Sequence, residues 1–104
     1  MPEIHRGAAC TKTMQLSTEA IGVTYRNKAW HYLRQAMRTR NEPPRAAHWL
    51  GRACVAIDVM TETSHPAAYR ALERYNLVWR ICKIAAQGQL QQHDHNLKRL
   101  VAMF

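Results

Sequence analysis

Very little in this sequence can stop a helix, and the few residues that can are spaced as a bundle needs them. Pro43-Pro44 and the run Ser64-His65-Pro66 each place proline where it opens a helix. Its fixed φ suits the first turn, and its missing N–H has no intrahelical partner to lose there. Gly88 stands where a helix C-terminus can turn into the left-handed region. These three points cut the chain into four segments of helical length. Nothing alternates at period two for long enough to argue a strand. The pattern predicts an all-α fold, an antiparallel four-helix bundle over residues 17–104. Residues 1–16 show no clear periodicity and are expected to form a flexible N-terminal arm.

The first long segment is expected to run from Ser17 or Thr18 to Thr39. Ile21, Tyr25, Ala29, Leu33 and Ala36 recur on one face, widened by Trp30 and Met37. Asn41 stops it, with Arg38 and Arg40 at the negative end of the helix dipole. The second segment, from Pro43-Pro44 to Thr63, turns Ala46, Ala47, Leu50, Ala53, Cys54, Ile57 and Met60 inward. Most are small, which permits close helix–helix approach. The third, from Pro66 to Gln87 with Ser64 or His65 as its cap, has one face of Tyr69, Leu72, Tyr75, Trp79, Cys82 and Ala86. A second face of Leu77, Val78, Ile81 and Ile84 makes its C-terminal half apolar nearly all round. Such a half is either central in the bundle, the first reading, or carries an apolar groove for a partner. The last segment, Gln91 to Phe104, offers Leu97, Leu100, Val101 and Phe104, an apolar end that suggests docking.

At 104 residues the chain is the size of one domain and long enough for one core without staples. No apolar run reaches the ~20 residues that span a bilayer, and MPEIHRGAAC lacks the apolar region of a secretory signal. Three cysteines, an odd number without a CxxC pair, argue against a disulfide framework and make a cytoplasmic location the expectation.

Charge is distributed unevenly. Fifteen Lys and Arg against seven Asp and Glu give +8, and Arg26 to Arg52 holds seven cations against Glu42 alone. Such a field attracts an acidic protein or a polyanion and raises its on-rate. A plain, well-solvated basic face is the competing explanation.

No catalytic constellation stands out. Seven scattered acids and four isolated glycines form no carboxylate pair, phosphate loop or Ser-His-Asp set. His48 and Cys54, six apart on one helix, fall on different faces, and Cys54 belongs to the apolar stripe of an inert thiol. His93-Asp94-His95 is the most metal-like stretch, but histidines at i, i+2 do not share a helix face, and a capping role for Asp94 is simpler. The chain is therefore expected to be no enzyme, with no cofactor and no metal.

Read together, residues 17–104 resemble the flagellar secretion chaperone family FliS. Ser17-Thr18-Glu19, Ile21 and Ala29-Trp30-His31-Tyr32-Leu33-Arg34-Gln35-Ala36 are similar to that family's first long helix. Ala47-His48-Trp49-Leu50-Gly51-Arg52-Ala53 with Ile57-Asp58 resembles its second, and Leu72, Tyr75, Leu77, Ala85, Leu97 and Leu100 follow its third and fourth. Departures are Thr18 where the family usually has Pro, Arg26-Asn27 where it has Tyr-Asp, and a shorter connection after the first helix. The resemblance implies a bundle that keeps an export-bound protein unpolymerised by holding its helical terminus in apolar grooves, with the N-terminal arm over an empty groove.

The expected function is thus a helical chaperone or adaptor for an acidic or amphipathic partner helix, flagellin-like by the resemblance. Helical phase nominates Trp49, Val55, Val59, Leu77, Val78, Ile81 and Ile84 for partner binding, with Arg38, Arg45 and Arg52 as steering charges. The alternative is a small basic nucleic-acid-associated or regulatory protein: arginines flank Trp30-His31-Tyr32 and His48-Trp49, and phosphates and bases need such charges and rings. No recognition helix or RNA-module motif accompanies them. A phage- or plasmid-encoded inhibitor of a host protein is a third possibility, marked by nothing but smallness.

Overall fold

The computed structural model describes the backbone of residues 2–87, 90 and 92–104, and the side chains of that set except those of residues 2–17 and 92. Among them lie four helices: α1 Pro2–Arg38, α2 Pro43–Glu62, α3 Ala68–Ala85 and α4 Gln92–Ala102. The all-α bundle is as expected. The segment expected as an arm differs, because its backbone from Pro2 continues α1 as helix. Ala8, Ala9, Lys12, Met14, Gln15 and Leu16 are good helix formers, and adding residues to an existing helix avoids a new nucleation step. The resulting 37-residue helix sets the long dimension of the molecule, 64 Å against 24 and 18 Å.

The breakers act locally as their chemistry requires. Pro43 and Pro44 occupy the first positions of α2 behind Glu42, whose side chain makes no capping bond. At the other end Ser64 takes φ 53°, its N–H bonding to Thr61 O at 3.0 Å and the His65 N–H to Met60 O at 2.8 Å. This is a Schellman closure with a serine where glycine is usual. His65, not Ser64, then organises the start of α3: its Nδ1 accepts from the Ala67 N–H at 3.0 Å and its carbonyl from the Ala68 N–H. After α3 the left-handed turn falls at Gln87, φ 55°; Gly88, expected there, lies outside the described residues.

The core is continuous through α1, α2 and α3, with Leu33, Leu50, Ile57, Met60, Tyr75 and Cys82 at its centre. Burying a side chain of this size contributes about 1.5–3 kcal/mol. Alanines 29, 36, 46, 53, 56 and 71 let the backbones come close. Gly22 does the same for the far end of α1, where an added Cβ would lie 2.9 Å from His65 Cδ2. The stripe on α1 is accordingly rotated: Gly22 is buried and Ile21, expected inside, is 42% exposed.

α4 decides the architecture. It packs on α2 and α3 through His93, Leu97 and Leu100, with Leu90 buried just ahead of it, and makes no contact with α1 among the described residues. In a closed up-and-down bundle the fourth helix would lie between the first and third. Here α2 and α3 form a middle layer, α1 covers one side of it and α4 the other. The flank of α3 beside α1 is left without a covering helix.

Candidate functional site

That open flank is a groove of about 250 Å³ between α1 and α3. Trp30, Leu33 and Met37 from α1 and Leu77, Val78 and Ile81 from α3 form its floor and walls, three and four residues apart on each helix. Arg34 and Arg74 stand at its rim, the Arg74 guanidinium lying over the Trp30 ring at 4.5 Å. The stem of such an arginine extends the apolar wall while its head stays in water. Leu77 is 59% exposed and Ile84, one turn beyond Arg80, is 79% exposed. Central burial of this half of α3, the first reading from the sequence, is therefore corrected. The half-apolar helix faces outward because α4 settled on the opposite side of α3.

A second, more polar cleft runs along the seam of α1 and α2. One hollow of about 520 Å³ is lined by Tyr25, Lys28, Tyr32, His48, Gly51, Arg52 and Val55. Another, of about 450 Å³, is lined by Gln35, Thr39, Pro44, Arg45, His48 and Trp49. His48 belongs to both. Tyr32 and Trp49 stack with ring centroids 5.9 Å apart at 25°, and His31 and His48 meet the Trp49 ring edge-on at 6.0 and 5.0 Å. Arg52 lies 5.9 Å from the Tyr32 ring, and its Nε donates to His48 Nε2 at 3.3 Å.

The residues singled out for partner binding are thus divided between two surfaces. Leu77, Val78 and Ile81 join the α1–α3 groove, although Val78 is largely buried and serves as floor. Ile84 stands outside the groove lining. Trp49 and Val55 belong to the α1–α2 cleft with Arg45 and Arg52, and Trp49 is half-buried against the core, so it is not a residue the core can spare. Val59 is half-buried, and Arg38 is exposed at the end of α1; neither lines a cleft described above. Arg74 and Arg34 are absent from the residues expected to bind a partner, though Arg74 sits three residues before Leu77 and Arg34 four after Trp30. That spacing was a usable signal.

A polar cluster ties α4 down. Arg99 donates to Asp58 Oδ2 at 2.7 Å and to Cys54 Sγ at 3.1 Å. Next to it Tyr75 Oη and Asn96 Nδ2 both reach His93 Nδ1 at 3.2 Å. The other ring nitrogen, Nε2, is buried without a partner. Burial pushes the His93 pKa below its ordinary value and the Tyr75 hydroxyl well above its own. His93 is therefore a core residue within a run that reads from the sequence as a helix-entry cap. Asp94, half-buried, lies in the first turn of α4 as expected and also meets Lys83 at 3.7 Å.

Burial, and then the charge of Asp58, raise the Cys54 thiol above its ordinary range, with Arg99 opposing. A thiol held neutral is a poor nucleophile. His48 faces solvent on the other side of α2, out of reach. Among the described residues no three His, Cys, Asp or Glu side chains gather to hold a metal ion, and no helix is long and apolar enough to cross a membrane.

Comparison with protein-family models, curated proteins and solved structures finds no match. What the chain does must be argued from its own two grooves.

Proposed function

We propose that the chain is a non-enzymatic, cytoplasmic helical chaperone or adaptor that holds an amphipathic segment of a partner protein between α1 and α3. The observation that carries this reading is the groove itself. Its floor is apolar, its rim bears Arg34 and Arg74, and it lies where a closed bundle would put a fourth helix against α1. A partner helix laid there would bury Leu77 and Ile81 and complete the bundle, with i, i+3, i+4, i+7 anchors as in other helix-in-groove complexes. Acidic residues on the partner's flanks would meet the two arginines. A disordered segment that folds on docking loses part of its gross binding energy to ordering, so micromolar affinity is the expectation. The client class, a flagellin-type export substrate, is taken from the resemblance to the flagellar chaperones.

Calorimetric titration with a flagellin C-terminal segment tests the reading. Binding at low micromolar Kd, lost in Leu77→Asp without a change in the melting curve, supports it. Absence of binding at tens of micromolar sinks the flagellar client. Binding that Leu77→Asp leaves intact sinks the groove.

A further inference from the structure

The α1–α2 cleft lies on a different face from the α1–α3 groove, and its chemistry is different. We propose that it is a binding site for single-stranded nucleic acid, with bases on the Tyr32–Trp49 rings and phosphates on Lys28, Arg45 and Arg52. Three observations converge. The two hollows adjoin at His48 and lie end to end along the seam, spanning about 20 Å at 1.5 Å of helix rise per residue from Tyr25 to Thr39. Lys28, Arg45 and Arg52 are spread along that path; Glu42, the single acid between Arg26 and Arg52, meets Arg45 at 3.5 Å in an exposed pair that a phosphate can displace. Tyr32 and Trp49 are already stacked at 25° to one another, each only half-buried, with the Arg52 guanidinium beside the Tyr32 ring.

Rings and guanidinium planes both stack on bases, and a positive groove follows the backbone. Both rings pack on the core with one part and leave the rest in the cleft; an acidic peptide would use the cations but has no need of those open ring faces. A duplex would meet the phosphate-binding charges but hide its base faces, so the rings favour a single strand. Gly51 marks where the chain could have closed the cleft and did not: a Cβ built there meets nothing within 4 Å.

Fluorescence anisotropy with end-labelled oligo(dT) and oligo(U) of twelve nucleotides, on the full chain, tests this. Binding is expected to weaken with salt at a log–log slope of about −2, three phosphate contacts at about 0.7 each on a single strand. Arg52→Ala reduces that slope by about 0.7. Tyr32→Leu lowers affinity by roughly 5- to 100-fold, the loss of one stacked base. Gly51→Glu, which puts a carboxylate into open space, abolishes binding while the melting curve stays in place. Leu77→Asp, in the other groove, changes nothing. The proposal is overturned by no binding at 50 mM NaCl with roughly fifty micromolar protein, since even non-specific polyanion binding falls near that range. It is overturned equally by a duplex of the same length binding as tightly, by poly-glutamate competing on equal terms, or by binding indifferent to Gly51→Glu.

Discussion

The ion pair between Arg99 and Asp58 is the sharpest handle on what holds α4 in place. Asp58 Oδ1 is buried without a partner, and Oδ2 depends on Arg99 at 2.7 Å. The Asp58 side chain is 19% exposed and that of Arg99 44%, so the pair is neither a surface contact nor a fully buried one. Exposed pairs are worth up to about 1 kcal/mol, and removing one partner of a buried pair costs about 3–5 kcal/mol. Arg99→Ala should fall between, at about 2 kcal/mol, because it leaves a largely buried carboxylate and takes a donor from the Cys54 sulfur. For a chain of this length the unfolding entropy is about 0.2 kcal/mol/K, so the melting temperature should drop by roughly 9 °C. Asp58→Asn strands no charge and should cost about 1 kcal/mol. The double variant should cost less than the sum, leaving a coupling of about 1 kcal/mol. Arg99→Lys keeps the cation in the last turn of α4 and should cost less than Arg99→Ala, separating the pair from the helix-dipole contribution. Urea unfolding followed by circular dichroism measures all four. A coupling below about 0.3 kcal/mol would refute the argument, because it would mean that solvent already screens the pair completely.

Further outcomes follow at four positions. Ser64→Gly relieves the left-handed strain at φ 53° and should raise stability by about 0.5 kcal/mol after the greater unfolded-state entropy of glycine is subtracted. A loss in urea unfolding would contradict the Schellman assignment. Gly51→Ala should gain about 0.5–1 kcal/mol, as is usual inside a helix, whereas Gly22→Ala should lose about 1 kcal/mol. The difference arises because the Gly22 Cβ would strike a His65 ring that the Ala67 N–H holds in place. Equal melting shifts for the two would show that α1 and His65 are not in close contact. Stability should also fall as pH drops below about 6.5, the ordinary histidine value. His93 is neutral in the fold and its pKa is lowered by burial, so the unfolded chain takes up its proton first and is favoured. Above that pH both states are neutral and the contribution vanishes. His93→Gln should flatten this part of the profile in denaturation at pH 5–7.5, and an unchanged slope would reject a buried neutral imidazole.

Much of the bundle is legible residue by residue, but unevenly. In α2 every residue expected inside is buried or packed on the core, because small side chains at i, i+3, i+4 leave only one rotation that fits. In α1 the C-terminal end falls within a residue of the expected Thr39, but the helix starts at Pro2 and not at Ser17 or Thr18, and its phase slips near Gly22, where a glycine does the packing and Ile21 is left outside. A hydrophobic pattern cannot register an inward residue that has no side chain. Tyr69 failed for a related reason: it is 60% exposed on the first turn of α3 and packs edge-on against the Phe104 ring at 5.8 Å instead of entering the core.

The sequence by itself determined that this chain is helical, where its helices break and which residues of α2 face inward. Those properties follow from proline geometry, from backbone hydrogen bonding and from a 3.6-residue period, all local. It also specified a basic stretch with interleaved rings. Tertiary structure decided which helix covers which. Because α4 packs on α2 and α3 through Leu100, His93 and the Arg99–Asp58 pair, the apolar flank of α3 stays open beside Trp30 and Met37. The same packing of α1 on α2 stacks Tyr32 on Trp49, seventeen residues away in sequence. Apolar periodicity says that a face will be covered; only the competition among all faces for a limited number of helices says which one is left over.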